Sequence, residues 1–194
     1  APAIIAAALS LYDENALMLV VPSDHVIDKA EHFCRDVRAI ASYHKGGSLT
    51  VLGIPARRAS AHFGYIVPKF CNDAEGGENG AGPPIWPLQN FIEKPDKIKA
   101  RRLIAEQAAL WHSGMFLCRA QDLCDMAKAH APEIYKGVQE AVSEISACLP
   151  AQDGVLRIKE FPYINLPSIS IDYTIMERVQ GCFMGQLRVE WLDI

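Results

Sequence analysis

The chain has 194 residues, half of them hydrophobic and 22% charged, long enough to build a full core in one large domain or a compact pair. Nineteen Lys and Arg stand against 23 Asp and Glu without a basic block, which argues against nucleic acid or an anionic membrane surface as a partner and for a small molecule. No run reaches the roughly 18 to 20 apolar residues of a membrane span, and six cysteines scattered without a CxxC pair read as free thiols of a cytoplasmic protein.

The chain opens on APAIIAAALSLYD, an Ala-rich helix over residues 3–12 with no capping residue before it, and closes on VEWLDI without a finishing loop. Both ends are expected to be cut from something longer. Residues 16–21 are six apolar residues in a row, predicted as a parallel strand buried on both faces. It stops at Pro22, Ser23, Asp24 and His25. A helix over 29–44 follows, with Phe33, Val37 and Ile40 or Ala41 on its apolar stripe, and then a β-branched strand over 49–54. Strand, helix and strand read as a βαβ unit and set the class as α/β.

After Ile54 the text becomes irregular. Residues 62–67 are short and β-like, 86–93 form a second strand antiparallel to them, and the glycine-rich stretch 68–84 is expected to be a mobile connection. Asp96 is predicted to cap a helix over 97–107. A strand over 110–118 and helices over 122–130 and 133–148, separated by Pro132, come next. Residues 152–167 carry no clear pattern, 170–178 suggest a short helix, and 182–191 one or two strands.

An aspartate at the carboxyl end of a buried parallel strand points at the ligand crevice of an open α/β sheet. Asp24 therefore has three available roles: helix cap, partner of a buried base, or ligand to a hard cation. Asp193, in Trp191-Leu192-Asp193, also follows a β-like stretch, and two aspartates converging from distant strands would suit a Mg²⁺ ion that bridges a phosphate. Glu93 and Lys94 end a strand before Pro95, so an acceptor and a cation face opposite ways there; a solvated strand end is the plain alternative. His112, Ser113 and Gly114 interrupt an apolar strand, which marks a bulge or the close approach of a ligand. Gly64 is a turn or a similar approach, and Arg57 and Arg58 are solvated or meet phosphate.

The segments Val21-Pro22-Ser23-Asp24-His25, Phe63-Gly64-Tyr65-Ile66, Phe91-Ile92-Glu93-Lys94-Pro95-Asp96, Trp111-His112-Ser113-Gly114 and Ser170-Ile171-Asp172-Tyr173-Thr174, in that order and spacing, resemble the bacterial mannose-1-phosphate guanylyltransferases. These include bifunctional enzymes that also carry a mannose-6-phosphate isomerase domain. The resemblance implies a sugar nucleotidyltransferase fold, a Rossmann-like mixed and mostly parallel sheet flanked by helices, spanning 1–194 as one domain fragment. It implies GTP and mannose 1-phosphate as substrates, GDP-mannose and pyrophosphate as products, and Mg²⁺ or Mn²⁺ held by Asp24 and Asp193 as the catalytic pair. It also implies Glu93 on the mannose hydroxyls, Lys94 on its phosphate, the backbone of Gly64 against the sugar, and Asp172 supporting the sugar side or the neighbouring backbone.

There are departures. His112 stands where the family usually has Asn against the sugar, which opens sugar selectivity to another hexose 1-phosphate. The family's glycine-rich nucleotide loop is missing from these residues, so the fragment alone is expected to be inactive, and a non-catalytic subunit-pairing or regulatory module is the remaining alternative. A first strand lost with that loop would leave an edge that favours a homo-oligomer.

Overall fold

The structure is a computed structural model that describes residues 1–69, 75–76, 82–143 and 160–193. Its elements are α1 (Pro2–Ser10), β1 (Leu17–Val20), β2 (His25–Ile27), α2 (Ala30–Ser42), β3 (Leu49–Pro55), β4 (Tyr65–Pro68), β5 (Glu75–Gly76), β6 (Pro84–Ile92), α3 (Lys97–Gln107), β7 (Leu110–Arg119), α4 (Ala120–His130), α5 (Pro132–Ser143), α6 (Glu160–Tyr163), a π-helical turn (Asp172–Met176), β8 (Phe183–Gln186) and β9 (Trp191–Asp193). Most of the connection expected over 68–84, the first half of the unassigned stretch 152–167 and the end of the helix expected over 133–148 fall outside the described residues; residues 160–167 are described and begin with α6. The chain divides into two compact units, one of residues 1–18 and 119–179, the other of residues 19–118 and 180–194.

The first unit is helical. α1 packs against α4 and α5, and α5 against α6, around the buried Ile5, Ala8, Leu123, Val138 and Ile175. Each of the Ile, Leu and Val side chains contributes about 1.5–3 kcal/mol on leaving water. Its surface is tied by Gln121 Nε2, which donates to the Tyr12 carbonyl at 2.9 Å, and by the Lys128 ammonium over the Tyr12 and Tyr135 rings.

The second unit holds most of the sheet. The strand order is β1-β7-β3-β8-β6-β4, with β5 on β6 and a further pairing of β4 with β7. The sheet is mixed, but the expected parallel majority is not found: β3 and β8 are parallel, while β3–β7, β4–β6, β4–β7, β5–β6 and β6–β8 are antiparallel. β7 also lies between β1 and β3, so these two are not neighbours as a simple βαβ unit would make them. The reason is non-local: β7 carries enough apolar side chains to be buried along most of its length and takes the central position.

β1 consequently ends the described sheet rather than lying in its middle. Met18 is buried, but Leu19 is 37% and Val21 51% exposed, so the strand is half-covered rather than buried on both faces. α2 covers β8 through Ile40, fully buried. A Cβ at Gly185 would come within 2.6 Å of Ile40 Cδ1, so the glycine lets the helix lie on the sheet. Asp36, on the same helix, is also fully buried. Its Oδ2 accepts from Arg188 N at 2.9 Å and Nε at 3.3 Å, and its Oδ1 from Arg188 Nη2 at 2.7 Å. Burial pushes this carboxyl upward, yet the Arg188 bonds and charge outweigh it and hold it below its ordinary value.

α3 follows its sequence signals closely: Asp96 Oδ1 accepts from Lys99 N at 2.8 Å, the N-cap bond expected of it. α2 forms within the expected 29–44 with Val37 and Ile40 buried, but without a side-chain cap: Asp28 Oδ1 accepts from Lys29 N, and Lys29 enters the helix in the left-handed region. Cys118, Cys124 and Cys182 are buried free thiols, whereas Cys34 is exposed. Burial pushes Cys124 up to about 11.

Candidate functional site

Two groups of the residues singled out by sequence lie in the second unit. The first is a short antiparallel ribbon in which β2 pairs with β9, with His25 opposite Asp193 and Ile27 opposite Trp191. This register puts the backbone of Asp193 one residue from that of Asp24, although they stand at opposite ends of the chain. The Asp24 side chain is 66% exposed and open to solvent, and its Oδ1 lies 3.9 Å from His25 Nε2. His25 Nδ1 lies 3.1 Å from Trp191 Nε1. Trp191 belongs to an aromatic set with Phe63 and Trp111, which sequence reasoning missed; the available signal was two tryptophans, one next to His112 and one two residues before Asp193.

The second group is a cradle around Gly64. His112 N donates to the Gly64 carbonyl at 2.8 Å. A Cβ at Gly64 would stand 2.6 Å from Glu93 Oε2, 3.4 Å from His112 Cβ and 3.6 Å from Phe91 Cζ. Only a glycine leaves the Glu93 carboxylate in place. The His112 ring is buried and meets Phe91 edge to face at 5.0 Å.

Strand β7 reaches this position through a bulge. Its register with β3 jumps from Val51↔Phe116 to Gly53↔His112, and Gly114 takes φ +72°, a conformation that glycine adopts at little cost. Ser113 Oγ, inside the bulge, donates to Leu52 O at 2.7 Å. The loop before Gly64 is fixed by the buried Tyr65 hydroxyl, which accepts from Ser60 N at 2.9 Å and Trp111 Nε1 at 3.1 Å and donates to Ser60 O.

Glu93 and Lys94 do not face opposite ways as a continuing strand would place them. β6 ends at Ile92, and Lys94 adopts φ +41° immediately before Pro95. The turn brings its ammonium within 3.6 Å of Glu93 Oε1. Glu93 is 11% exposed and Lys94 58%, so a sheltered acceptor sits beside a solvent-facing cation. A left-handed residue other than glycine or asparagine costs on the order of 1 kcal/mol and tends to mark functional turns.

Asp172 lies in the other compact unit, at the start of its π-helical turn. Arg57 pairs with Glu190 at the surface, with side chains 68% and 62% exposed, so it is a solvated arginine in an exposed ion pair. A cavity of about 380 Å³ beside the ribbon is lined by Lys29, Arg57, Trp111, Arg188, Glu190 and Trp191 among others. Its two arginines are already matched by Glu190 and Asp36, so the lining offers little net charge to a ligand.

Among the described residues no three His, Cys, Asp or Glu side chains group to hold a metal by themselves. The described ribbon offers one solvent-facing carboxylate, Asp24; a hard cation takes one or two protein carboxylates and fills its shell with water and phosphate. The cradle combines a buried glycine whose missing Cβ makes room for a carboxylate, that carboxylate, able to accept hydrogen bonds from hydroxyls, and a cation able to meet a phosphate.

Residues 1–194 match the nucleotidyl transferase family over their whole length. The chain belongs to that family. It is similar to the mannose-1-phosphate guanylyltransferase RfbM of Salmonella typhimurium, at 34% identity over 198 residues, covering 100% of this chain and 39% of the relative. The mannose-1-phosphate guanylyltransferase of Escherichia coli is 30% identical over 199 residues, covering 100% of this chain and 41% of that protein. The chain thus spans about two fifths of the length of these relatives. Among solved structures, the mannose-6-phosphate isomerase of Helicobacter pylori aligns with a TM-score of 0.78 at 28% identity, over 99% of this chain and 70% of that one. The fold is therefore the mixed α/β fold of this nucleotidyl transferase family. No helix among the described residues is long and apolar enough to cross a membrane.

Proposed function

We propose that this chain is the sugar-binding and metal-binding part of a mannose-1-phosphate guanylyltransferase, which joins GTP and mannose 1-phosphate into GDP-mannose and pyrophosphate. The single observation that carries the reading is the cradle, in which a side chain at Gly64 would displace the Glu93 carboxylate beside a strained Lys94. Glu93 accepts hydrogen bonds from hydroxyls of the sugar, Lys94 pairs with its phosphate, and Gly64, lacking a Cβ, leaves room for the Glu93 carboxylate and lets the backbone lie against the sugar. The His112 ring closes one side of this position, and its bulk in place of asparagine favours, as a second reading, a hexose 1-phosphate other than mannose.

Asp24 and Asp193 would hold Mg²⁺ or Mn²⁺, and their adjacency across the β2–β9 ribbon supports that role. When bound, the ion neutralises phosphate charge. The protein's own groups orient the attacking sugar phosphate and keep its reacting oxygen in line with the nucleotide phosphorus, a gain of proximity and alignment.

These 194 residues contain no glycine-rich phosphate loop of the family kind, so by themselves they are proposed not to turn over. The test is calorimetry of GDP-mannose binding with and without Mg²⁺, alongside turnover of GTP and mannose 1-phosphate. Magnesium-dependent binding that disappears in Asp24→Asn, with turnover by the full-length protein and none by residues 1–194, is the expected result. Unchanged binding in Asp24→Asn removes Asp24 from the metal site, and turnover by residues 1–194 at the full-length rate overturns the proposed inactivity.

A further inference from the structure

We infer that the cavity beside the ribbon is a second ligand site of this chain, for a guanine nucleotide. It is separate from the groups given a role above. Neither Asp24 nor Asp193 lines it, and none of the cradle residues Gly64, Glu93, Lys94 or His112 does. Its volume of about 380 Å³ lies within the roughly 300–1,000 Å³ of small-molecule pockets. Pro55 and Gln186, the last residues of the parallel strands β3 and β8, both line it. The cavity therefore lies beyond the carboxyl ends of parallel strands, where α/β sheets receive ligands.

Because the two arginines of the wall are matched, net charge selects little, and the pattern of donors and acceptors decides what fits. Arg57 Nη2 donates to Glu190 Oε1, while Glu190 Oε2 has no protein partner among the described residues. Guanidinium and carboxylate side by side offer a donor, an acceptor and a second acceptor in a row. Guanine carries the complement along one edge: the acceptor O6, then the donors N1–H and N2–H. Adenine, cytosine and uracil present other orders.

The rest of the wall suits the rest of such a molecule. Ile54, Leu187 and Trp191 give the base an apolar and aromatic surface to rest on. Lys29, exposed at the start of α2, lines the same cavity, and its ammonium has no ion pair among the described residues. As a point charge it meets a single phosphate. A nucleotide held here touches no group assigned to the sugar or the metal, so the site senses a nucleotide rather than reacting with it.

The test uses the full-length protein with GMP as the probe. Nuclear Overhauser contacts between the base H8 of GMP and the Trp191 indole are expected, and their absence at saturating GMP overturns the site without need of any variant. Glu190→Gln replaces one acceptor by a donor; at least about a tenfold loss of GMP affinity in the component that shows those contacts is expected, with turnover of GTP and mannose 1-phosphate unchanged. Unaltered GMP affinity overturns the assignment of Glu190, and turnover lost along with binding overturns the separation from the reacting groups. AMP should bind the cavity at least about tenfold more weakly than GMP, and equal affinity overturns the choice of guanine. Lys29→Ala should weaken GMP but not guanosine; an equal effect on both, or none, removes Lys29 as the phosphate partner. Absence of turnover in the unsubstituted protein would sink the guanylyltransferase reading and leave these binding results standing, since they involve neither Asp24 nor the cradle.

Discussion

Arg188→Ala should destabilise the protein through a residue it leaves behind. The substitution removes the Nε and Nη2 donors at 3.3 and 2.7 Å from Asp36 but keeps the backbone donor at 2.9 Å. Two charge-assisted bonds at about 1.5–3 kcal/mol each set an upper range, and breaking a buried pair costs about 3–5 kcal/mol. Because the Arg188 side chain is 39% exposed while Asp36 is fully buried, solvent screening favours the lower end, about 3 kcal/mol at pH 7. The pH dependence has a definite sign. In the native protein the Asp36 carboxyl lies below its ordinary value, so its contribution is fully present above the unfolded value of about 3.9 and is lost only as pH falls through the lower folded one. Without the guanidinium, burial dominates and raises the folded value, so the variant gains stability by taking up a proton as pH falls from 7 toward 5. The deficit should therefore shrink on acidification. Urea unfolding followed by tryptophan emission at pH 5, 6, 7 and 8 measures it. A deficit under about 1 kcal/mol at pH 7, or one equal at pH 5 and pH 8, would refute the reasoning.

Three further outcomes are expected. Gly64→Ala should leave stability within about 1 kcal/mol, because the 2.6 Å contact is with the tip of a flexible Glu93 side chain, yet it should cut sugar-phosphate turnover in the full-length protein by about 10²-fold through misplacement of that carboxylate; wild-type kcat/KM would contradict the proposed cradle. Tyr65→Phe strands the Ser60 N–H and the Trp111 indole N–H in the interior and should cost about 2–3 kcal/mol in urea unfolding, with a value near zero removing the hydroxyl as an anchor of the loop. Gly185→Ala should cost about 1–3 kcal/mol by crowding Ile40. Adding Ile40→Val, which deletes the Cδ1 atom 2.6 Å away, should make the double variant more stable than the sum of the two single losses; strict additivity would separate the two residues.

Local signals were legible where the deciding interactions are local. α3 begins after its Asp96 cap and β3 is buried along the run that its apolar residues predicted, because an N-cap and a β-branched stretch act within a few residues. The glycine at 64 and the bulge at 113–114 were also marked, since glycine inside an apolar strand has few other uses. What sequence could not disclose is non-local. β7 lies between β1 and β3, and Leu19 and Val21 are left partly exposed; no pattern within residues 16–21 reports on a partner strand so far along the chain. The left-handed turn at Lys94 defeats the alternation rule, which holds only while a strand continues. No local signal marks Asp36 as buried, because its partner, Arg188, lies far along the chain.

The β2–β9 ribbon has a consequence for how long the proposed metal-binding arrangement of Asp24 and Asp193 exists at any moment. It consists of three register pairs, and a two-stranded ribbon of that size is marginal in water without neighbours to pack on. Opening it would separate Asp24 from Asp193 while the sheet built from β3, β6, β7 and β8 stays intact, since local openings cost far less than global unfolding. Apparent ion affinity is then the intrinsic affinity scaled by the fraction of time that the ribbon is closed. Packing of Trp191 against Phe63 and His25 sets that fraction, so substitutions at an aromatic contact that never touches ligand would tune binding strength by changing occupancy of the closed form.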